Sequence, residues 1–82
     1  MCQVRVIILG EGPGPQEKIV KIKKADGTSE ELVTHSNTLK GSTVETALIF
    51  REQGGLRALV ELPRESASGN WRLWVSQDQL VG

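Results

Sequence analysis

The chain has 82 residues, enough for one domain with a single small core. Its 10 basic and 10 acidic residues cancel, so no overall charge attracts nucleic acid or anionic membranes, and little charge opposes self-association. A single cysteine excludes an internal disulfide, and no apolar run reaches the ~18 residues of a membrane helix. The N-terminus lacks a secretory pattern, so we expect a cytoplasmic protein.

The first predicted element is a strand from Val4 to Leu9. Its residues are nearly all apolar, and such a short continuous run is typical of a central strand that is covered on both faces. Residues 10–15 alternate glycine with proline and glutamate, which interrupts regular pairing. We therefore expect a loop after Leu9.

Residues 17–24 and 28–34 predict a β-hairpin. Between them, Ala25-Asp26-Gly27 has the chemistry of a three-residue turn in which the glycine takes the left-handed conformation. This register places an ion pair and an apolar pair across the hairpin, Lys21 with Glu31 and Val20 with Leu32.

Residues 42–53 fit two structures. Ser42 followed by Glu45 forms a capping box, and Gly54 can end a helix, but the β-branched and aromatic residues of the segment favour a strand. We expect a strand, because residues 56–62 alternate apolar and polar side chains and pair readily with it.

The C-terminal part predicts one more strand, from Asn70 to Ser76. Alternation places two sets of side chains on opposite sides: Trp71, Leu73 and Val75 towards the core, and Arg72, Trp74 and Ser76 away from it. Residues 77–82 predict a single helical turn that returns Leu80 and Val81 to the core.

Five or six short strands, glycine-rich turns and at most one short helix indicate an all-β fold. We expect a small antiparallel β-barrel or a strongly bent sheet, of the size of SH3-like and OB-like domains. The chain has no internal repeat and no low-complexity tract, so residues 1–82 should form a single domain.

Cys2 is the first candidate site. Removal of Met1 would leave a terminal amine beside a thiolate, and this pair can chelate nickel, copper or zinc. A homodimer would supply two such pairs, enough for four-coordinate binding. The alternative is that Cys2 is a small buried hydrophobe at the start of a strand.

The opening Met1-Cys2, followed by an apolar β-rich run from Val4, resembles the CooT family of nickel-binding accessory proteins for carbon monoxide dehydrogenase. The resemblance covers this short N-terminal part of the chain. It implies a small all-β homodimer in which the cysteine after the start methionine, here Cys2, carries the metal.

No local motif predicts catalysis. Phosphate-binding glycine loops need a helix directly after the glycines, whereas Pro13 and Pro15 remove donors and a strand follows. His35 and Cys2 have no local orienting group, and the glutamates at positions 30, 31, 61 and 65 are expected on solvated strand faces. We therefore expect a protein that is not an enzyme.

Two surfaces are candidate interfaces. Trp74 and Arg72 share one strand face and have the composition of an interaction hot spot, unless Trp74 is buried under the C-terminal turn. A basic stretch fits weak RNA or single-stranded DNA binding, or edge protection through pairing with Glu30 and Glu31. Its members are Lys18, Lys21, Lys23 and Lys24.

These features lead to one hypothesis and two alternatives. We expect a non-catalytic binding module that contacts a protein partner or a second copy of itself through an edge strand and Trp74, with Arg72, Lys21 and Lys23 contributing. The first alternative is metal handling by Cys2 in a homodimer. The second is weak binding of RNA or single-stranded DNA.

Overall fold

A computed structural model of the protein describes residues 2–81, and these residues form an all-β fold with two short 3₁₀ turns. The 3₁₀ turns are Ser36–Thr38 and Gln77–Gln79. The strands in chain order are β1 (Cys2–Arg5), β2 (Ile7–Glu11), β3 (Glu17–Lys23), β4 (Ser29–His35), β5 (Leu39–Lys40), β6 (Thr43–Arg51), β7 (Arg57–Glu61), β8 (Arg72–Ser76) and β9 (Leu80–Val81).

The strands form two antiparallel sheets. A six-stranded sheet has the order β8-β7-β6-β1-β9, with β5 paired to one end of β6, and a three-stranded sheet has the order β2-β3-β4. The predicted all-β class is confirmed. The predicted barrel is not confirmed, because neither sheet closes on itself within residues 2–81. Over the same residues, no helix is long and apolar enough to span a bilayer.

The core lies between the two sheets. The three-stranded sheet contributes Val20, Ile22 and Leu32, which are fully buried. The six-stranded sheet and its connections contribute Cys2, Val4, Val44, Val60, Leu62, Leu73 and Val75. Valine, isoleucine and leucine therefore build the core, and the aromatic residues are left for the outside.

The first predicted strand is divided at Val6. Its beginning, β1, pairs with β6, and the Val6 N–H donates to the Ser42 carbonyl at 2.8 Å. The chain then crosses to the other sheet, where β2 pairs with β3. The expected burial on both faces is wrong for β2, because all five of its residues are exposed.

The predicted hairpin is confirmed. Strands β3 and β4 pair in the expected register, with Lys21 opposite Glu31 and Val20 opposite Leu32. Gly27 has a φ of 91°, which is the conformation that the turn requires of a glycine.

Residues 42–53 are a strand rather than a helix over most of their length. β6 pairs with β1 through its first half and with β7 through its second half, as expected for the segment that follows it. A bulge between Leu48 and Phe50 shifts the register. The predicted helical turn near the C-terminus is the 3₁₀ turn Gln77–Gln79, after which Leu80 packs against the core.

Candidate interaction surface

Trp74 lies on β8, at an edge of the six-stranded sheet, and is half-buried. Its neighbours Leu73 and Val75 point into the core, as predicted. Outside the sheet, the Trp74 ring meets the Phe50 ring edge-on, with centroids 6.2 Å apart and planes at 84°. The Arg57 guanidinium carbon lies 4.6 Å from the Trp74 ring centroid, within the range of a cation–π contact.

These contacts belong to a row of apolar side chains that crosses three strands. Phe50 on β6 lies opposite Leu59 on β7, and Leu59 lies opposite Trp74 on β8. Phe50 is 54% exposed. We call this outer surface of β6, β7 and β8 the aromatic face, which consists of Phe50, Leu59, Trp74, Arg57 and Arg72.

Ion pairs hold both arginines of the aromatic face. The Arg57 guanidinium donates to both carboxylate oxygens of Glu52, with Nη2–Oε2 at 2.7 Å and Nε–Oε1 at 3.2 Å. This pairing lowers the pKa of Glu52 and raises the pKa of Arg57. Arg72 Nε donates to Glu61 Oε2 at 3.2 Å. Glu52 therefore holds the Arg57 guanidinium in place over the Trp74 ring.

An open groove runs between the aromatic face and the β3–β4 turn. The turn is fixed there by the Ala25 N–H, which donates to the Trp74 carbonyl at 2.9 Å. The residues lining the groove are Lys24, Ala25, Asp26, Arg57, Asn70, Arg72, Leu73 and Trp74. Three of them are cationic and one is anionic, and each cation is in an ion pair with a glutamate: Lys24 with Glu30, Arg57 with Glu52 and Arg72 with Glu61.

Several sequence expectations about this region need correction. Trp71 was expected in the core but is 53% exposed, because it precedes β8. Phe50 and Arg57 were not expected at the site. Simple alternation along β6 would place Phe50 on the same side as Val44, and the bulge after Leu48 ends that alternation. The sequence signal for this site was an arginine and a tryptophan, Arg72 and Trp74, on one predicted strand face.

Glu30 is not on a solvated strand face. It is 9% exposed and accepts hydrogen bonds from the Ser66 hydroxyl at 2.7 Å and from the Ser68 hydroxyl. Lys24 Nζ lies 3.5 Å from its other carboxylate oxygen. The two serine hydrogen bonds, with Lys24 adding to them, lower the pKa of Glu30. The cluster joins the β3–β4 hairpin to the connection that follows β7.

The predicted basic stretch does not form one face. Lys21 and Lys23 lie on the side of β3 that points away from the core, whereas Lys18 and Lys24 alternate with them on the side of Val20. Both of the latter are in ion pairs, Lys18 with Glu11 at 2.6 Å and Lys24 with Glu30. The three aromatic residues of the chain lie elsewhere, on β6 and in or just before β8. Binding of RNA or single-stranded DNA stays a prediction.

Cys2 is 8% exposed, and its Sγ lies 3.1 Å from Thr46 Oγ1 on the neighbouring strand β6. Met1, whose removal would free an amine at Cys2, lies outside the described residues. Within residues 2–81, no three His, Cys, Asp or Glu side chains are grouped so that they could hold a metal ion. One chain thus supplies a single soft donor, and nickel, copper or zinc binding at Cys2 stays a prediction.

Comparisons of this chain with family models, with curated proteins and with solved structures find no match. The resemblance to the CooT family therefore continues to depend on Met1, Cys2 and the apolar run from Val4.

Proposed function

We propose that the protein is a non-catalytic binding module that holds a protein partner on its aromatic face. The observation that carries this function is a row of one exposed and two partly buried apolar side chains across three strands, Phe50, Leu59 and Trp74, with Arg57 stacked on the tryptophan. Tryptophan and arginine dominate the binding energy of protein interfaces, and apolar rows of this kind on a sheet face are typical of contact sites.

The arrangement should let a partner bind with little loss of side-chain conformational entropy. Glu52 holds the Arg57 guanidinium with two hydrogen bonds, and Phe50 holds the Trp74 ring from another side. Side chains that are already fixed lose less rotamer entropy on association. The aromatic face is thus suited to a rigid anchor rather than to an adaptable surface.

The adjoining groove suggests the chemistry of the partner. Lys24, Arg57 and Arg72 line it together with Trp74, and Asp26 is the one acidic residue among the lining residues. Each cation already has a glutamate partner, so we infer that the partner presents an apolar side chain next to a carboxylate that shares these cations with their glutamates. The apolar group would cover Trp74, and the carboxylate would enter the groove.

The partner is not expected to add a strand beside Trp74. The Leu62 N–H donates to the Trp71 carbonyl, so odd-numbered residues of β8 bond to β7 and even-numbered ones point to the sheet edge. At that edge the Ala25 N–H already occupies the Trp74 carbonyl. This differs from the sequence expectation that one edge strand and Trp74 act together, and it favours recognition by side chains.

The test is selection of peptides from a random displayed library on the immobilised protein. We expect the enriched peptides to combine an aromatic or aliphatic residue with Asp or Glu, and to bind the Trp74→Ala variant at least about tenfold more weakly, as for a typical hot-spot truncation. Phe50→Ser should weaken the same peptides.

The matched control is Trp71→Ala. Trp71 is the other tryptophan of the chain and is more exposed than Trp74, and the groove is lined by its neighbours Asn70 and Arg72 but not by Trp71 itself. Peptides that bind Trp74→Ala as well as the parent, or that lose affinity equally in Trp71→Ala, would contradict the proposed function. A thermal melt of each variant separates lost binding from lost folding.

A further inference from the structure

A second groove lies where the chain passes from the six-stranded sheet to the three-stranded sheet. β1 ends at Arg5, the Val6 N–H donates to the Ser42 carbonyl, and Ile7 begins the pairing of β2 with β3. The groove is open and has a volume of about 330 Å³. We call it the crossover groove, which is lined by Arg5, Val6, Ile7, Lys21, Lys23, Gly27, Ser29 and Gln79.

The strand register brings two lysines and an isoleucine together in this groove. Lys21 and Lys23 are two positions apart on β3, so their side chains leave the same face of the sheet, the face that points away from the core. Lys21 lies opposite Ile7 on β2, and Lys23 lies opposite Ser29 on β4. Because Ile7 is 58% exposed, an apolar surface adjoins the Lys21 ammonium.

Arg5 reaches the groove from the six-stranded sheet. Its Nη1 donates to the Asp78 carbonyl at 2.6 Å, in the 3₁₀ turn that precedes β9. A guanidinium has five N–H donors, so one bond to a carbonyl orients the group and leaves most of the donors for a ligand. The carbonyl is neutral, so this contact does not cancel the charge of Arg5.

The three cations of the crossover groove are not balanced by carboxylates. Five of the ten basic residues of the chain form ion pairs within residues 2–81, and Arg5, Lys21 and Lys23 are not among them. The lining residues that the structure describes include no acidic one. The groove beside Trp74 differs, because each of its cations is paired with a glutamate.

The nearest acidic residues surround the crossover groove without pairing with its cations. Glu31 is opposite Lys21 on β4, on the far side from Ile7. Asp26 and Asp78 line a neighbouring groove that shares Lys23 with this one. These carboxylates confine the positive potential to a small area. Such an area suits one compact anionic group and disfavours a long polyanion.

A phosphate monoester fits this set of donors. It carries a charge of about −1.5 to −2 at pH 7 and three acceptor oxygens, so it can bond to three cations at once, which a singly charged carboxylate does less well. Single-stranded RNA also carries phosphates, but its binding relies on aromatic side chains that stack on the bases. The three aromatic residues of this chain lie elsewhere, in or beside β6 and β8.

We propose that the crossover groove binds a phosphorylated side chain of a peptide segment, with the phosphate held by Arg5, Lys21 and Lys23 and a neighbouring apolar residue on Ile7. Clustered cations are a general means of recognising phosphorylated motifs. This site goes beyond the proposed function and does not depend on it, because the crossover groove and the groove beside Trp74 share no lining residue.

The first test uses a degenerate phosphoserine peptide library and the same library with unmodified serine, each passed over the immobilised protein. We expect retention of the phosphoserine library to be at least about tenfold greater, and the retained peptides to carry an aliphatic residue next to phosphoserine. Equal retention of the two libraries would overturn the proposal.

The second test compares two double variants that lower the net charge equally. Lys21→Gln/Lys23→Gln removes two cations of the groove, whereas Lys40→Gln/Arg51→Gln removes two cations that lie outside both the groove and the ion pairs. Calorimetric titration with a selected phosphopeptide should show affinity at least about tenfold weaker in the first variant and nearly unchanged in the second. Losses of equal size, or no loss in either variant, would overturn the proposal. Thermal melts should show that both variants fold like the parent.

The third test distinguishes the carriers of a phosphate. A single-stranded RNA oligonucleotide and vesicles that contain phosphatidic acid should each bind more weakly than the selected phosphopeptide at a salt concentration of about 0.15 M. Tighter binding of either one, lost in Lys21→Gln/Lys23→Gln, would overturn the peptide as the occupant. Trp74→Ala should bind the phosphopeptide like the parent, and a loss there would place the peptide on the aromatic face and overturn the crossover groove as its site.

Discussion

β1 and β2 are consecutive in the chain, yet only β1 contributes buried side chains to the core. In β1, Val4 is fully buried between the sheets and Cys2 is nearly so. In β2, which is the more apolar of the two, Ile7 and Ile8 are about half exposed. The chain changes sheets at Val6, and that change decides whether each segment is covered.

The contrast teaches that burial depends on the neighbours available to a strand more than on its hydrophobicity. β1 has β6 on one side and β9 on the other, whereas β2 has β3 on one side only. The two edges of the three-stranded sheet differ in the same way, because the β2 edge is uncovered and the β4 edge is covered. β4 is tied to the connection after β7, through the Glu30 cluster and through the Ala67 N–H, which donates to the Glu31 carbonyl at 2.8 Å.

The largest expected difference is between Val4→Ala and Ile8→Ala. Val4→Ala removes two buried methyl groups and leaves a cavity, so the free energy of unfolding should fall by about 2–3 kcal/mol. Ile8→Ala, on the exposed β2, should change it by no more than about 0.5 kcal/mol in the monomer. Urea unfolding at a concentration that keeps both variants monomeric measures the two values. Equal losses would mean that β2 is buried in solution.

Glu30→Gln tests the covered β4 edge of the three-stranded sheet. The substituted amide would keep the shape of the side chain but lose the charge that the Ser66 and Ser68 hydroxyls and Lys24 stabilise. Hydrogen bonds to a buried charged group contribute more than neutral ones, so we expect a loss of about 1–2 kcal/mol in the free energy of unfolding. Glu31→Gln, on the neighbouring exposed position, is the matched control. A loss of equal size in the control would contradict the role of the cluster.

The same carboxylate predicts a pH dependence. Its pKa is lowered from an ordinary value of 4.5, chiefly by the Ser68 and Ser66 hydrogen bonds, so the folded state holds the proton less tightly than the unfolded state. The stabilisation is therefore complete above pH 4.5 and is lost as the pH falls through the lowered pKa. Thermal melts across the acid range should show a smaller decline for Glu30→Gln than for the parent. Parallel declines would exclude this contribution.

Gly27→Ala tests the turn that joins β3 to β4. Alanine at a φ of 91° is strained, and nothing within 4 Å of the added methyl group would clash, so the cost should come from the backbone alone. We expect a loss of about 1 kcal/mol in the free energy of unfolding. Gly10→Ala is the control, because its methyl group is equally unobstructed and its φ is not positive. A loss of the same size in Gly10→Ala would contradict this explanation.

The β3–β4 hairpin could be predicted because its information is local. Asp26 accepts hydrogen bonds from both the backbone N–H and the hydroxyl of Thr28, and Gly27 supplies the left-handed residue. These residues lie within the turn itself. The register of every cross-strand pair then follows by counting outwards from the turn.

One feature that the sequence analysis missed depends on partners far away in the chain, and another depends on an irregular pairing of neighbouring strands. Glu30 is buried because Ser66 and Ser68 reach it from 36 and 38 positions away. The bulge that turns Phe50 outwards exists only in the pairing of β6 with β7. Nothing in the residues next to these positions indicates such contacts, so the aromatic face could be identified only in part, through Trp74 and Arg72.

The smallest expected effect is that of Lys18→Gln, on β3 opposite the end of β2. Lys18 and Glu11 form a surface ion pair with 33% and 75% of their side chains exposed, so its loss should change the free energy of unfolding by no more than about 0.5 kcal/mol. Lys18→Gln should therefore leave the thermal melt close to that of the parent. A loss as large as that of Glu30→Gln would contradict the interpretation of Lys18 and Glu11 as a weak surface pair, because the two substitutions compare an exposed ion pair with a buried carboxylate of the same sheet.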